Sequence, residues 1–117
     1  MPSLDTPVCA EQTKRFEAEL AALSDQVNAL TVSCDLPFAQ ARFCGVENIQ
    51  SMRTGSDYKD RKFGEDWGTL IDELKIMARA VYVLDADGKI VYGQIVPEVT
   101  EEPDYDAALN ALKGLLS

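Results

Sequence analysis

Histidine is absent from this sequence, and cysteine, basic residues and long apolar runs are scarce. The chain has 117 residues, with no His and only three Cys. Structural zinc sites use Cys and His, commonly as closely spaced pairs, and no Cys-x-x-Cys pair is present, so we expect no metal. Three unevenly spaced cysteines are also too few for a disulfide framework. These absences favour a reduced, redox-active role for at least one thiol.

The shortage of positive charge limits the partners. Eleven Lys and Arg face 20 Asp and Glu, for a net charge of −9. Such a surface repels nucleic-acid phosphates and anionic membranes, so we expect neither as a partner. No apolar run approaches the roughly 20 residues of a membrane span, and no charged-then-apolar leader is visible. We therefore expect a cytoplasmic protein with a single domain over residues 1–117.

The stretch from Pro2 to Cys9 predicts the start of a helix that carries a thiol in its first turn. Thr6 is a favourable N-cap residue, and Pro7 suits the first helical position. Cys9 then becomes about the third helical residue, beside backbone N–H groups without helical partners and at the positive end of the helix dipole. A thiolate is stabilised there relative to the thiol, so a surface-accessible Cys9 would be a nucleophile. Position alone leaves open that Cys9 is a small buried apolar residue.

Periodicity predicts the remaining elements. A helix from Pro7 to Leu23 is followed by a strand within Val27–Ser33 and a short helix with Asp35 as its N-cap and Gly45 as its end. A further short strand is expected near residues 49–52, a helical turn within Asp57–Gly64, and an apolar patch over Trp67–Leu74. The runs Ala78–Leu84 and Lys89–Val96, joined by an Asp-Gly turn, predict a hairpin. A last amphipathic helix begins near Asp104.

Five sequence blocks also resemble a known family. The first has the pattern Pro-x-x-x-Thr-x-x-Cys from Pro2 to Cys9, which is similar to the peroxidatic motif of peroxiredoxins. This motif overlaps the first of the five blocks that match the thiol peroxidase subfamily. In the family's order the blocks are Asp5-Thr6-Pro7-Val8-Cys9-Ala10, Asp35-Leu36-Pro37-Phe38-Ala39-Gln40, Arg42-Phe43-Cys44-Gly45, Ala78-Arg79-Ala80-Val81 and Glu101-Glu102-Pro103-Asp104-Tyr105. They span nearly the whole chain.

The resemblance implies an α/β fold of the thioredoxin-like type, a sandwich with helices on both faces of a mixed sheet. Members of the family have roughly fifty further residues before the first block, which form an N-terminal hairpin and one central strand. That strand would lie between the Val27–Ser33 and Ala78–Leu84 strands. We therefore expect an N-terminally truncated peroxiredoxin domain with an open edge on each of these two strands.

The same resemblance implies a chemistry and its residues. Cys9 would attack a hydroperoxide, with Thr6 offering its hydroxyl, Pro2 walling the site and Arg79 supporting the thiolate. Cys44 would resolve the resulting sulfenic acid to an intramolecular disulfide. A thioredoxin-type reductant would then reduce the disulfide, without a cofactor, and the family suggests a homodimer.

Other interpretations remain open from the residues. Arg79 could instead pair with a carboxylate at the sheet edge, Thr6 could be only a cap, and Pro2 could be an ordinary turn residue. Cys34 has no counterpart in the family pattern and is interpreted as a packing residue. The alternative to an active peroxidase is an inactive peroxiredoxin fragment that acts as an interaction module or a redox sensor.

Overall fold

The computed structural model describes residues 1–23, 26–98 and 100–116. It contains four α-helices, one 3₁₀ turn and six strands within these ranges. In chain order they are α1 (Pro7–Leu20), the 3₁₀ turn (Ala21–Leu23), β1 (Leu30–Ser33), α2 (Pro37–Val46), β2 (Arg53–Ser56), α3 (Lys62–Asp66), β3 (Leu70–Ile71), β4 (Ile76–Met77), β5 (Ala80–Leu84), β6 (Ile90–Ile95) and α4 (Tyr105–Leu116).

Helix α1 begins where the sequence predicts it. Thr6 has the extended backbone of an N-cap residue and Pro7 follows at the first helical position. The prediction that the Thr6 side chain caps the helix is wrong, because the hydroxyl makes no cap bond and instead donates to the carbonyl of Ser3 at 2.8 Å. Proline at the first helical position fixes φ at a helical value, which favours the helix start at this residue without that bond.

Strands β1 and β2 form a parallel pair on which α2 packs. The strand expected near residues 49–52 lies later, at Arg53–Ser56, where it pairs residue by residue with Leu30–Ser33. Asp35 is not the N-cap of α2; Leu36 holds that position. The Asp35 carboxylate bonds instead to the segment before α1. Gly45 lies inside α2, and the chain turns after it at Asn48, whose φ is 56°, a left-handed value that Asn tolerates better than most residues.

The segment between β2 and β5 holds α3 and a very short hairpin. Asp57 fixes the start of α3, because its carboxylate accepts from the backbone N–H of Phe63 at 3.1 Å and of Gly64 at 2.7 Å. The sequence predicts only an apolar patch after it, whereas the structure has the antiparallel pair β3–β4. Two-residue strands are too short to leave a periodic pattern, so they could not be predicted in this way.

The hairpin β5–β6 and helix α4 confirm their predictions. The two strands pair antiparallel, and Gly88 in the connecting turn has a φ of 82°, which glycine adopts without steric cost. Asp104 accepts a hydrogen bond from the N–H of Ala107 at 3.0 Å, which caps α4. The helix packs on both strands of the hairpin, and its Tyr105 and Leu109 join Leu20 of α1 in a buried cluster.

A groove separates the two principal strand pairs. The strands form three two-stranded sheets in the described part of the chain, and β1 and β5 are not paired with each other there. Residues of both strands line a cavity of about 870 Å³ together with apolar side chains such as Phe16, Trp67 and Leu112. At one point on β1 the amine of Met1 donates to the Val32 carbonyl at 2.9 Å. The expected gap between these strands is therefore present as an apolar groove.

We expect this groove to accept an extended peptide with the sequence of the family's central strand. Strand addition would pair the free backbone groups and cover the apolar lining. The peptide should raise the melting temperature progressively with the logarithm of its concentration above Kd, because it binds the folded chain only. Calorimetry with a scrambled peptide of the same composition is the control. Equal stabilisation by both peptides, or by neither, would contradict strand addition.

Candidate active site

The first turn of α1 places Cys9 in a closed pocket. Its side chain is fully buried, with 0% exposure, so of the two alternatives that position left open, a surface thiol or a buried one, this conformation has the buried one. The Pro2–Thr6 loop (residues 2–6) folds back over it, and the N–H of Ser3 donates to the Cys9 sulfur at 3.5 Å. Sulfur therefore receives a backbone donor from outside the helix, in addition to lying at the helix start.

A tight turn fixes the Pro2–Thr6 loop. The carbonyl of Ser3 accepts from both the N–H of Thr6, at 3.1 Å, and its hydroxyl, at 2.8 Å. Pro2 is buried next to this turn. The Thr6 hydroxyl thus donates its hydrogen to a backbone carbonyl in this conformation, and its oxygen is still able to accept a hydrogen bond.

A buried guanidinium lies on the same side of the structure. Arg79, the residue immediately before β5, has 0% exposure, and Gln12 of α1 has 5%. Arg79 Nη1 donates to Gln12 Oε1 at 2.7 Å. Gln12 lies one turn after Cys9, and residues three apart are neighbours on a helix face. The hydrogen bond therefore holds Arg79 at the part of α1 that carries Cys9.

The amine of Met1 reports that these groups share one electrostatic environment. The pKa of the Met1 amine is lowered to about 6, chiefly by burial; the charge of Arg79 also acts to lower it, whereas Cys9, Cys34 and Asp35 act to raise it. Charges interact appreciably only over short distances in a protein in salt solution. Cys9, Cys34, Asp35 and Arg79 accordingly all lie close to the Met1 amine.

The thiols of the other two cysteines have different surroundings from that of Cys9. Burial, followed by the charge of Asp57, raises the pKa of the Cys34 thiol, which also donates weakly to the Asp57 carbonyl at 3.7 Å. Burial, followed by the charge of Glu17, raises the pKa of the Cys44 thiol on α2. All three cysteines are free. Cys34 and Cys44 therefore stay protonated in this conformation.

Glu17 also ties α1 to the loop that follows α2. Its carboxylate accepts from the N–H of Gln50 at 2.6 Å and from the N–H of Ser51 at 2.9 Å. The segment that contains Cys44 is thus anchored after its C-terminal end as well as at its start.

No helix in the described ranges is both long and apolar enough to cross a membrane.

Two residues of this site were not predicted for it. Gln12 was not singled out from the sequence, and only its place three residues after Cys9 could have indicated a buried role. Asp35 was interpreted as a helix cap, a local role that many Asp residues have. Its partners Ser3 and Leu4 are 32 and 31 residues away in the sequence, so no local pattern could reveal them.

Comparisons with known proteins identify the family of this chain. A family model described as Redoxin matches residues 1–109. The chain is 50% identical over 116 residues to the thiol peroxidase of Bacillus subtilis, which is 99% of this chain and 69% of the relative. It is 49% identical over 115 residues to the thiol peroxidase of Streptococcus pneumoniae, covering 98% of this chain and 70% of the relative.

Solved structures define the fold. A peroxiredoxin-like protein from Aquifex aeolicus superposes with a TM-score of 0.92 at 49% identity, covering 98% of this chain and 68% of that one. AhpC of Mycobacterium tuberculosis has a TM-score of 0.79 at 22% identity over 100% of this chain and 66% of the other, which shows the fold alone. The fold is thus the thioredoxin-like fold of the peroxiredoxins. The chain belongs to the redoxin family and, within it, to the thiol peroxidases.

Replacement of Arg79 tests its assignment to this site. Arg79→Met keeps most of the buried volume but removes the cation, so we expect less Cys9 thiolate at neutral pH and at least about tenfold slower oxidation, about 1.4 kcal/mol. Ultraviolet thiolate titration and stopped-flow oxidation measure the two effects. The control is Arg15→Met, since Arg15 is a partly exposed arginine of α1. If the thiolate titration is unchanged in Arg79→Met, the Arg79 guanidinium interacts with a group other than Cys9.

Proposed function

We propose that this chain reduces hydrogen peroxide and organic hydroperoxides through Cys9, as a single thioredoxin-like domain over residues 1–117. Membership of the thiol peroxidases makes it a thiol-dependent peroxidase. The observation that carries the assignment of Cys9 is its surroundings: a helix start, the Ser3 N–H at 3.5 Å and a buried guanidinium held by the adjacent turn of the same helix. No other cysteine of the chain combines these features.

In the first step the Cys9 thiolate attacks one peroxide oxygen. A sulfur–oxygen bond forms, the oxygen–oxygen bond breaks, and the electron pair leaves on the second oxygen, which takes up a proton as water or an alcohol. Sulfur is oxidised to a sulfenic acid and the peroxide is reduced. Negative charge spreads over sulfur and both oxygens, and donors fixed beforehand stabilise it most effectively. Arg79 and the backbone N–H groups at the start of α1 supply these donors, with the Thr6 hydroxyl oxygen accepting a hydrogen bond from the peroxide and Pro2 limiting water.

In the second step Cys44 attacks the Cys9 sulfenic acid. The disulfide forms as hydroxide leaves and is protonated to water. Cys9 is buried on α1 and Cys44 lies on α2, so local unwinding must bring the two sulfurs to bonding distance. Unwinding also exposes Cys44 to water, which removes the burial that raises its pKa and so favours the attacking thiolate.

A dithiol reductant of the thioredoxin type completes the cycle by thiol–disulfide exchange. Reduced thiols support a cytoplasmic location, since disulfides persist mainly in oxidising compartments.

The apolar side chains exposed on and beside α2, Leu36, Phe38 and Val46, support association into a homodimer. An inactive fragment that senses oxidation is the second candidate, favoured by the open groove between β1 and β5.

Thiol mapping after a peroxide pulse tests the proposal. We expect a sulfenic-acid trap to label Cys9 first, and untrapped protein to form a Cys9–Cys44 disulfide that leaves Cys34 free. In Cys44→Ser, Cys9 should accumulate as sulfenic or sulfinic acid. Cys34→Ser is the matched control and should behave as the unmodified chain. Earlier labelling of Cys34, or a dominant Cys9–Cys34 bridge, would overturn the assignment. Oxidation without turnover by a dithiol reductant would favour the sensor.

A substitution within α2 separates the two chemical steps. Glycine disfavours a helix interior by up to about 1 kcal/mol relative to alanine, and a methyl group at Gly45 meets no heavy atom within 4 Å. Gly45→Ala should therefore stabilise α2 and slow disulfide formation by up to about fivefold. The rate at which Cys9 is first oxidised should not change.

The same change at Gly114 is the control. Gly114 lies in α4, where an added methyl group also meets no heavy atom within 4 Å. Gly114→Ala should stabilise the chain without slowing disulfide formation, as measured by rapid-quench mapping of the two species. Equal rates in all three proteins would show that α2 does not unwind during resolution.

A further inference from the structure

The carboxylate of Asp35 bonds directly to the Pro2–Thr6 loop that covers Cys9. Oδ1 accepts from the hydroxyl of Ser3 at 2.6 Å, and Oδ2 accepts from the N–H of Leu4 at 2.8 Å. Hydrogen bonds to a charged acceptor are among the stronger ones in proteins. Two neighbouring residues of the loop are thus held by one carboxylate from the β1–α2 connection.

A buried polar network fixes Asp35 in turn. The hydroxyl of Ser33 donates to Asp35 Oδ2 at 2.7 Å, and Ser33 itself is 0% exposed. Gln40, which is 2% exposed, donates from Nε2 to the Ser33 hydroxyl at 3.1 Å and to the Gly55 carbonyl at 2.8 Å. The donors and acceptors match along the chain from Gln40 to Ser33 to Asp35. A satisfied buried network of this kind holds its members in one arrangement.

The network ends at the reactive sulfur. Ser3, whose hydroxyl is bound by Asp35, is the residue whose N–H donates to Cys9 Sγ. The position of that N–H depends on the position of Ser3. Asp35 therefore acts on Cys9 through the loop.

We propose that Asp35 is a positioning residue for the oxidation of Cys9, which holds the Ser3 N–H against the sulfur. This rests on the proposed function, in which Cys9 is the reacting thiol. Asp35 acts through geometry and against its own charge, because a nearby carboxylate disfavours a second negative charge. Geometry and charge therefore predict opposite results when the side chain is changed.

The variants Asp35→Asn and Asp35→Ala separate these two effects. Asparagine keeps an oxygen for the Leu4 N–H and the Ser33 hydroxyl, and its amide can donate to the Ser3 hydroxyl, so the loop stays in place. Alanine releases the loop. We expect Asp35→Ala to slow Cys9 oxidation about tenfold or more and to shift the midpoint of its alkylation to higher pH, as expected for lost donors to the thiolate. Asp35→Asn should keep the rate within about threefold and leave the midpoint unchanged or lower.

Asp57 provides the matched control. It is also a carboxylate that accepts two backbone N–H groups, but at the start of α3. Asp57→Ala should lower the melting temperature without changing the alkylation midpoint of Cys9. If Asp35→Ala does not fold, Ser3→Ala, which removes one bond to the carboxylate, should move rate and midpoint in the same direction by less.

Three outcomes overturn the inference: an unchanged rate in Asp35→Ala, a downward shift of its midpoint, or an equal effect in Asp57→Ala. Alkylation measures Cys9 without peroxide, so it tests the loop independently of the peroxidase cycle. Failure of the proposed function would appear separately, as unchanged peroxide consumption in Cys9→Ser.

Discussion

Burial of the Arg79 guanidinium is the constraint on which the rest of the site depends. A charged group removed from water is costly unless other charges and hydrogen bonds compensate. The hydrogen bond to Gln12 orients Arg79 and holds it one helical turn from Cys9. In the proposed reaction negative charge develops on the sulfur and on the peroxide oxygens, and a buried cation held at this part of α1 is placed to stabilise that charge. Burial makes the charge of Arg79 more effective, because water does not screen it.

The three cysteines have different environments before any peroxide is present, and these differences support the roles proposed for them. Burial raises the pKa of Cys34 and of Cys44, with carboxylate charges adding to the effect. Cys9 instead lies at a helix start with a backbone donor aimed at its sulfur. A protonated Cys44 reacts slowly until the helix around it opens. The order of the proposed reaction thus follows from burial and hydrogen bonding.

Elements with strong local signals were predictable from the sequence. The Thr6-Pro7 start of α1, the Asp-Gly turn between β5 and β6 and the apolar stripe of α4 each depend on neighbouring residues. Asp35 was wrongly predicted to cap α2. Its carboxylate binds Ser3 and Leu4 instead, and these residues are too distant in sequence for a local pattern to show. The placement of Cys9 at the third helical position is confirmed. Its burial could not be decided from the sequence, because it depends on how the Pro2–Thr6 loop folds over the side chain.

The two anchors on either side of α2 limit how far its chain can move. Asp35 binds the segment before the helix to the Pro2–Thr6 loop, and Glu17 binds the segment after it to α1. If both anchors hold while α2 unwinds, Cys44 becomes part of a short closed loop fixed at both ends beside Cys9. A short tether raises the effective concentration of one group near the other. The carboxylates that stabilise the closed conformation would then also hasten the encounter of the two sulfurs in the open one.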